Sequence, residues 1–509
     1  IKEATSLYIL MANWQDLFSR EIFDQSIINE DELVAILIGF WEKAAAKGQN
    51  IIQCLYSHPH RFSMFNSNAT DVYQLTNGIN AKLISASQAF SNVLINHTDI
   101  ASSIYGSLQW YDDRNWHAYG QPLSLEGTLA LSHQLSVAVR SLYGQPKKLL
   151  ILDLDNTLWG DIIGDDGADN INIGPDTSLG RPFYDFQVYI KSLQKKGVLL
   201  AICSKNEEKI ALSGFDHTGM HLKPSDFAAM KINWNNKSEN IVEICKELNL
   251  GLSSIVFIDD NPAERDEVRM SLPDVSVPEI GNDPSEYVKI LDLNQFFIHH
   301  DGLTVEDKKR NDLYADNKKR LNDEALFIDH ESFIKSLETI IWIEKFIPAN
   351  IDRVHQLFNK TNQFNLNTIR LSKKDLELIS ISDKNITMTA RASDKYGDHG
   401  LISALYGTIN NKSLAIDNWV MSCRVFDRTI EFALFDALVN ICLSLKIDTV
   451  IGTHTPTNTN YVISDLYMKL GFEKIGEEST LPNETTEWSI SIDQKTSLNN
   501  HHCEIKYEY

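Results

Sequence analysis

Hydrophobic residues fall into three successive patterns along the chain. Between residues 148 and about 300, short continuous apolar runs ("KLLILDLD", "VLLAICS", "SSIVFIDD") alternate with amphipathic stretches ("RPFYDFQVYIKSLQKKG", "KSENIVEICKELNLG"). Uninterrupted apolar strands are buried on both faces, and strands separated by helices pair in parallel, so this region predicts a doubly wound parallel sheet. Ahead of it, "LYILMAN" and "NIIQCLY" mix with "DELVAILIGFWEKAAAKG", a helix framed by an acidic start and a glycine stop, and predict another α/β layer. From about 338 onward, strand-like runs ("TIIWIEKF", "ITMTARASDKYG", "GLISALYGTI", "LAIDNWVMSC") precede the apolar helix "IEFALFDALVNICLSLK". The expected organisation is therefore an α/β domain over 1–146, a catalytic α/β domain over 147–300, a linker over 301–337 and an α+β domain over 338–509. "YGQPKK" marks the first boundary. The charged run "DGLTVEDKKRNDLYADNKKRLNDE" reads as a solvated linker helix.

Composition narrows the function classes. A hydrophobic content of 43% with 23% charged residues suits a globular chain, and no apolar run is long enough to span a bilayer, so no membrane association is expected. The formal charge of -22, from 47 basic and 69 acidic residues, argues against nucleic acid or an anionic membrane as partner. Six scattered cysteines, Cys54, Cys203, Cys245, Cys423, Cys442 and Cys503, form no CxxC pair, which predicts reduced thiols and a cytoplasmic protein. The opening "IKEATSLYILMANWQDLF" lacks a basic segment before its apolar run, so it is expected to begin partway into a larger polypeptide rather than with a signal peptide.

The candidate chemistry lies at strand ends. "ILDLD" and "VFIDD" both finish in paired aspartates and "AICSKN" in a serine beside a lysine; in a doubly wound sheet these ends meet at one edge. Asp153, Asp155, Thr157, Ser204, Lys237, Asp259 and Asp260 would then share a pocket. Oxygen ligands of this kind suit Mg²⁺, with one aspartate attacking phosphorus and a second donating a proton to the leaving group.

"DLDNT", "CSKN", "NWNNKSEN" and "FIDDNPAERDE" resemble the four motifs of the haloacid dehalogenase superfamily of phosphotransferases. The resemblance implies Asp153 as nucleophile and metal ligand, and Asp155 as general acid/base that binds metal through its carbonyl and is oriented by Thr157. It further implies Ser204 and Lys237 on phosphoryl oxygens, and Asp259 with Asp260 completing the metal site. Trp159, Lys205 and Asn206, inside the same motifs, join the substrate- or phosphate-binding candidates.

A wider set, "LDLDNTLWGDIIGDDG", "LLAICSKNEE", "DFAAMKINWNNKSENI", "IDDNPAERDEVR", "KTNQFNLNTIR", "YGDHGLI" and "MSCRVFDRTIE", resembles the FkbH-like family over roughly 148 to 475. That likeness implies transfer of a glyceryl unit from 1,3-bisphosphoglycerate to the phosphopantetheine thiol of an acyl carrier protein in polyketide biosynthesis. Residues 161–180 would form only a small flap over the site. "SDLYMKLGFEKIG" resembles the end of the Gcn5-related acyltransferase fold, making Tyr467 either a proton donor to a leaving thiolate or a packing aromatic. In "CRVFDRTIE", Cys423 stands where the acyl group would be carried and Arg428 at the loop arginine, while Thr429 and Glu431 replace small residues and argue against ordinary coenzyme A binding. Cys423 is thus either the acyl carrier or a small buried hydrophobe; Cys203 is a rival that strand alternation turns away from Ser204. Arg370 and Arg424 are phosphate-gripping candidates or surface ion-pair partners, and Asn362, Gln363, Asn365 and Asn367 bind glyceryl hydroxyls or serve as loop caps. His399 replaces the asparagine expected in "YGDHG". The first domain resembles a degenerate SGNH-hydrolase-like region without a convincing nucleophile block, for which a docking or structural role is expected. Two other readings stay open: a phosphatase of a free small molecule with a passive third domain, and a non-catalytic carrier-binding scaffold.

Overall fold

The computed structural model describes residues 7–12, 30–57, 72–144, 147–298, 310–311, 314, 320, 323, 327, 329–422, 425–426, 428–475, 485–493, 496 and 501–508. Two compact units emerge: Ile1–Pro146 with Leu291–His300, and Lys147–Ile290 with Asp301–Tyr509. The first unit holds a parallel sheet in the order β1 (Leu7–Leu10), β2 (Asn50–Cys54), β3 (Val93–Asn96). Its helix Glu30–Ala46 carries Glu30, Asp31 and Glu32 at the positive end of the dipole and buries Trp41 against Ile51, Leu55 and Ile79. The stretch after Leu291 groups with this unit instead of the following domain, contrary to the expected boundary at 300. Arg140 explains this: it donates to the Asn294 carbonyl and stacks 5.2 Å over the Phe296 ring.

The second unit opens with β4 (Leu149–Leu152), β5 (Leu199–Ser204), β6 (Ala229–Ile232) and β7 (Ile255–Ile258), all parallel in the order β6-β5-β4-β7. β4, β5 and β7 are buried throughout, as unbroken apolar runs require. The strand order reverses at β4, which has β5 on one side and β7 on the other, the point at which open sheets of this kind bind ligands beyond the carboxyl ends of their strands. Helix Arg181–Lys195 connects β4 to β5, the short helix Glu208–Ser213 lies between β5 and β6, Lys237–Glu247 connects β6 to β7, and Pro262–Ser271 follows β7. Between 161 and 180 the chain forms only a short helix, Ile163–Asp166, and a bridge from Gly160 to Asn172.

The charged segment departs from the solvated linker expected of it. Arg310 and Asn311 donate to the carbonyls of Gly197 and Gln194, Tyr314 packs against the core under the parallel sheet, and Arg320 is buried in the C-terminal sheet region. An arginine that finds a buried carboxylate is indistinguishable in sequence from one that faces water.

That last region is an eight-stranded mixed sheet, ordered β13-β14-β12-β11-β10-β9-β8-β15. The strands are β8 (Ile340–Glu344), β9 (Asn385–Asp394), β10 (Gly397–Asn410), β11 (Ser413–Met421), β12 (Thr449–His454), β13 (Glu473–Ile475), β14 (Thr486–Ser491) and β15 (Glu504–Tyr507). β8 to β11 pair antiparallel, whereas β11 and β12 run parallel from Ser413↔Thr449 to Ile416↔Gly452 and then separate. Helix Ile430–Ser444 is apolar almost all round and lies buried in this core with Trp419. Among the described residues, no helix is long and apolar enough to cross a membrane.

Candidate active site

At the end of β4 the backbone of Asp153 still pairs with Ile258 (3.0 Å), and then the chain turns sharply, with Asn156 at φ 53°. Asparagine tolerates that left-handed conformation. Its side-chain oxygen accepts from the Asp161 amide and its carbonyl from the Tyr287 hydroxyl at 3.0 Å, which pins the turn. Lys237 opens helix Lys237–Glu247 and is 2% exposed, with Nζ 2.6 Å from Asp153 Oδ1, 2.8 Å from the Cys203 carbonyl and 3.0 Å from Asp259 Oδ2. Burial opposes its charge, but the carboxylates of Asp153 and Asp259 outweigh burial and raise its pKa.

Asp153, Asp259 and Asp260 bring ligand oxygens within 4.8 Å of one another. Burial first, and then the charge of Asp153, push both Asp259 and Asp260 up to about 6. Asp259 Oδ2 is buried with the Lys237 ammonium 3.0 Å away. Three clustered carboxylates against one ammonium fit a hard divalent cation.

Asp155 stands apart from that cluster. Its Oδ1 accepts from Trp159 Nε1 (2.8 Å) and the Ile163 amide (3.1 Å), and its Oδ2 from Asn206 Nδ2 (2.8 Å). Burial raises its pKa against these donors. Trp159 Nε1 and Asn206 Nδ2 therefore both hold the Asp155 carboxylate. Thr157 accepts from the Asp260 amide at 3.2 Å and so ties the two loops together instead of orienting Asp155. Lys205 pairs with Glu264 at 2.9 Å, and Ser204 is buried at the tip of β5. Cys203 faces the core with its Sγ near the Lys237 carbonyl, and burial pushes its thiol up to about 12.

The C-terminal candidates disperse. Cys423 and Arg424 lie outside the described residues. Arg428 and His399 meet at Asp394, whose Oδ2 also takes Arg320: the separations are 3.3 Å, 2.8 Å and 2.8 Å, respectively. Arg370 donates to the carbonyls of Phe358 and Asn359 and to Asn362 Oδ1, so its fork grips protein and is not free for a phosphate. "QFNLN" is an extended segment rather than a hydroxyl-binding loop. It enters where β11 and β12 separate: Leu366 N pairs with the Trp419 carbonyl, Met421 N with Phe364, and Thr455 N with the Leu366 carbonyl. Asn365 caps Thr361 and Thr368, and Asn367 bonds the Asp417 carbonyl and Thr453, leaving neither amide for a ligand; Gln363 is half-buried beside them. Tyr467 is 1% exposed in the core, and its hydroxyl donates to the Thr453 carbonyl at 3.4 Å.

Among solved structures, the N-terminal part of the protein BF1531 from Bacteroides fragilis, containing a phosphatase domain complexed with Mg, aligns at 33% identity. The alignment covers 58% of this chain and 79% of that one, with a TM-score of 0.51. The chain belongs to the same family as BF1531. An acetyltransferase of GNAT family from Streptococcus pneumoniae (14% identity, TM-score 0.24) and spermidine N-acetyltransferase from Vibrio cholerae (13%, 0.23) each align with 30% of the chain, covering 99% and 95% of their own lengths. No protein-family model and no curated protein matches the chain.

Two residues of this BF1531 relative were not foreseen as parts of the site. Arg265, 2% exposed, donates through Nη1 to the carbonyls of Asp259 (2.9 Å) and Asp260 (2.7 Å) and pairs with Glu279, so it clamps the loop that presents both carboxylates. Tyr287 clamps the Asp153 turn from 131 residues away. Arg265 follows the aspartates by six and five residues in "DDNPAER", near the start of the helix that begins at Pro262, whereas nothing local signals Tyr287.

Proposed function

We propose that the chain is a Mg²⁺-dependent phosphoryl-handling enzyme of the haloacid dehalogenase class. The observation that carries this is the Lys237 ammonium held between Asp153 and Asp259, with Asp260 completing a carboxylate trio. Mg²⁺ held by Asp153, Asp259 and Asp260 would neutralise phosphoryl charge beside the nucleophile. Asp153 attacks phosphorus, Lys237 stabilises the charge on the transferring group, and Asp155 protonates the departing oxygen. Arg265, Thr157 and Tyr287 hold the two loops in register during that exchange.

The finer reading is that of the FkbH-like likeness. Thiol attack on the acyl phosphate of 1,3-bisphosphoglycerate releases phosphate and leaves a phosphoglyceryl thioester. The Asp153 site removes the remaining phosphate, and the glyceryl group passes to the phosphopantetheine thiol of an acyl carrier protein in the cytoplasm. Cys423 is the proposed thiol, the unit over 338–509 is proposed as Gcn5-related, and the first unit as an SGNH-like docking domain. A phosphatase acting on a free small molecule is the second reading. It is favoured by the extended segment Phe364–Leu366, which fills the cleft between β11 and β12, and by the buried Tyr467.

Intact-mass analysis of candidate carrier proteins incubated with enzyme, Mg²⁺ and 1,3-bisphosphoglycerate separates the two. A glyceryl adduct that disappears in Cys423→Ala supports transfer. Phosphate release with no adduct on any carrier supports the second reading, and loss of phosphate release in Asp153→Asn is required by both.

A further inference from the structure

The two oxygens of Asp155 are held unequally. Oδ1 accepts two hydrogen bonds, from the Trp159 indole and the Ile163 amide, whereas among the described residues Oδ2 accepts one, from Asn206. A carboxylate oxygen has two acceptor sites, and indole, amide and backbone N–H groups here act only as donors, so Oδ1 is full and Oδ2 keeps one site open. The geometry points to Asn206 and Trp159 as positioning residues for leaving-group protonation, fixing Asp155 so that Oδ2 is the oxygen that serves the departing group. This rests on the phosphatase reading and adds to it the atom used and the residues that select it.

Neither donor can easily swing away. The Trp159 ring is fully buried, meets Phe215 edge-on at 5.6 Å, and leaves so little room that a Cβ on Gly214 would come within 3.2 Å of it. Asn206 is 5% exposed immediately after β5. In the first step a bond forms from Asp153 to phosphorus, the bond from phosphorus to the leaving oxygen breaks, and that oxygen takes the proton from Asp155 Oδ2 to give a free alcohol. In the second, water attacks the phospho-aspartate, its proton returns to Oδ2, and inorganic phosphate departs with Asp153 restored.

Help from a positioned acid matters in proportion to how poor the leaving group is. The test compares glycerol phosphate, with a poor leaving group, and para-nitrophenyl phosphate, with a good one, using the full chain with Mg²⁺. Asn206→Ala should lower kcat/KM, which reports the leaving-group step and not the shared hydrolysis of the phospho-aspartate, by about 100-fold on glycerol phosphate and by only about 3-fold on the aryl ester. Trp159→Phe, which keeps an aromatic side chain but removes the indole N–H, should show the same asymmetry to a smaller degree. The aryl ester also reports that each variant retains a folded site. Equal losses on both esters in both variants would overturn the assignment while leaving the phosphatase reading intact. A wild-type protein that hydrolyses neither ester would overturn that reading itself.

Discussion

Replacing Asp394 with asparagine should destabilise the C-terminal region far more than its conservative size suggests. Its side chain is fully buried, and Oδ2 is shared by Arg320 (2.8 Å), His399 (2.8 Å) and Arg428 (3.3 Å). Burial alone would raise its pKa, but the bond to His399 and the charges of His399 and Arg320 hold the carboxyl well below the usual range. Removing one partner of a buried ion pair costs about 3–5 kcal/mol. An asparagine oxygen still accepts one hydrogen bond and recovers roughly 1 kcal/mol of that, leaving a loss of about 2–4 kcal/mol. For a unit of this size that corresponds to a fall in Tm of about 4–16 °C. Thermal unfolding followed by near-ultraviolet circular dichroism at neutral pH measures it, with urea titration as the equilibrium check. A shift under about 2 °C would mean that the two guanidiniums do not depend on this carboxylate, and the cluster would lose its role as the attachment of the preceding segment.

Lys237→Met strands three carboxylates and should cost about 3–5 kcal/mol, part of it regained with millimolar Mg²⁺, so the variant's Tm should rise with Mg²⁺ more steeply than the wild type's. A Cβ on Gly452 would come within 2.2 Å of the Tyr467 ring, so Gly452→Ala should cost about 1–3 kcal/mol in urea unfolding. Tyr467→Phe should cost under about 1 kcal/mol and spare activity, because the hydrogen bond it removes is a long one. Burial and the charges of Arg428 and Arg320 depress His399 despite its bond to Asp394. The unfolded chain therefore takes the proton first, and stability should fall as pH drops below about 6.5 towards the lower folded value. His399→Asn should flatten that slope in unfolding free energies measured across the range.

The acidic half of the site was legible because apolar runs that end in aspartates place their own carboxylates at a sheet edge. Its donors were less so. Asn206 and Trp159 lie in the quoted motifs, yet a motif does not say whether an amide faces substrate or a neighbouring acid, and here both turn inward to Asp155. Tyr287 reaches the turn only through the tertiary fold. In the C-terminal region "QFNLN" alternates apolar and polar residues, the period of a strand, and that signal would have placed Phe364 and Leu366 in the sheet had the amides not suggested a ligand loop. The burial of Arg320 had no sequence signal, because its partner lies on a strand end some seventy residues away.

The two buried charge clusters differ in what they lack, and that difference separates a ligand site from a structural one. At Asp394 two guanidiniums and an imidazole surround a single carboxylate, whose charge they satisfy within the protein. At Asp153 three carboxylates face one ammonium, a formal excess of two negative charges, and Arg265 does not relieve it because its guanidinium is spent on two carbonyls and Glu279. Burial and the like charge of Asp153 already push Asp259 and Asp260 up to about 6, an effect that the single ammonium of Lys237 opposes without cancelling. A divalent cation cancels that excess with one ion, and oxygen ligands at this spacing suit a hard one. Stability should therefore depend on Mg²⁺ at the first cluster and be indifferent to it at the second, so the Asp394→Asn protein should keep the wild-type response to Mg²⁺ while the Lys237→Met protein exaggerates it.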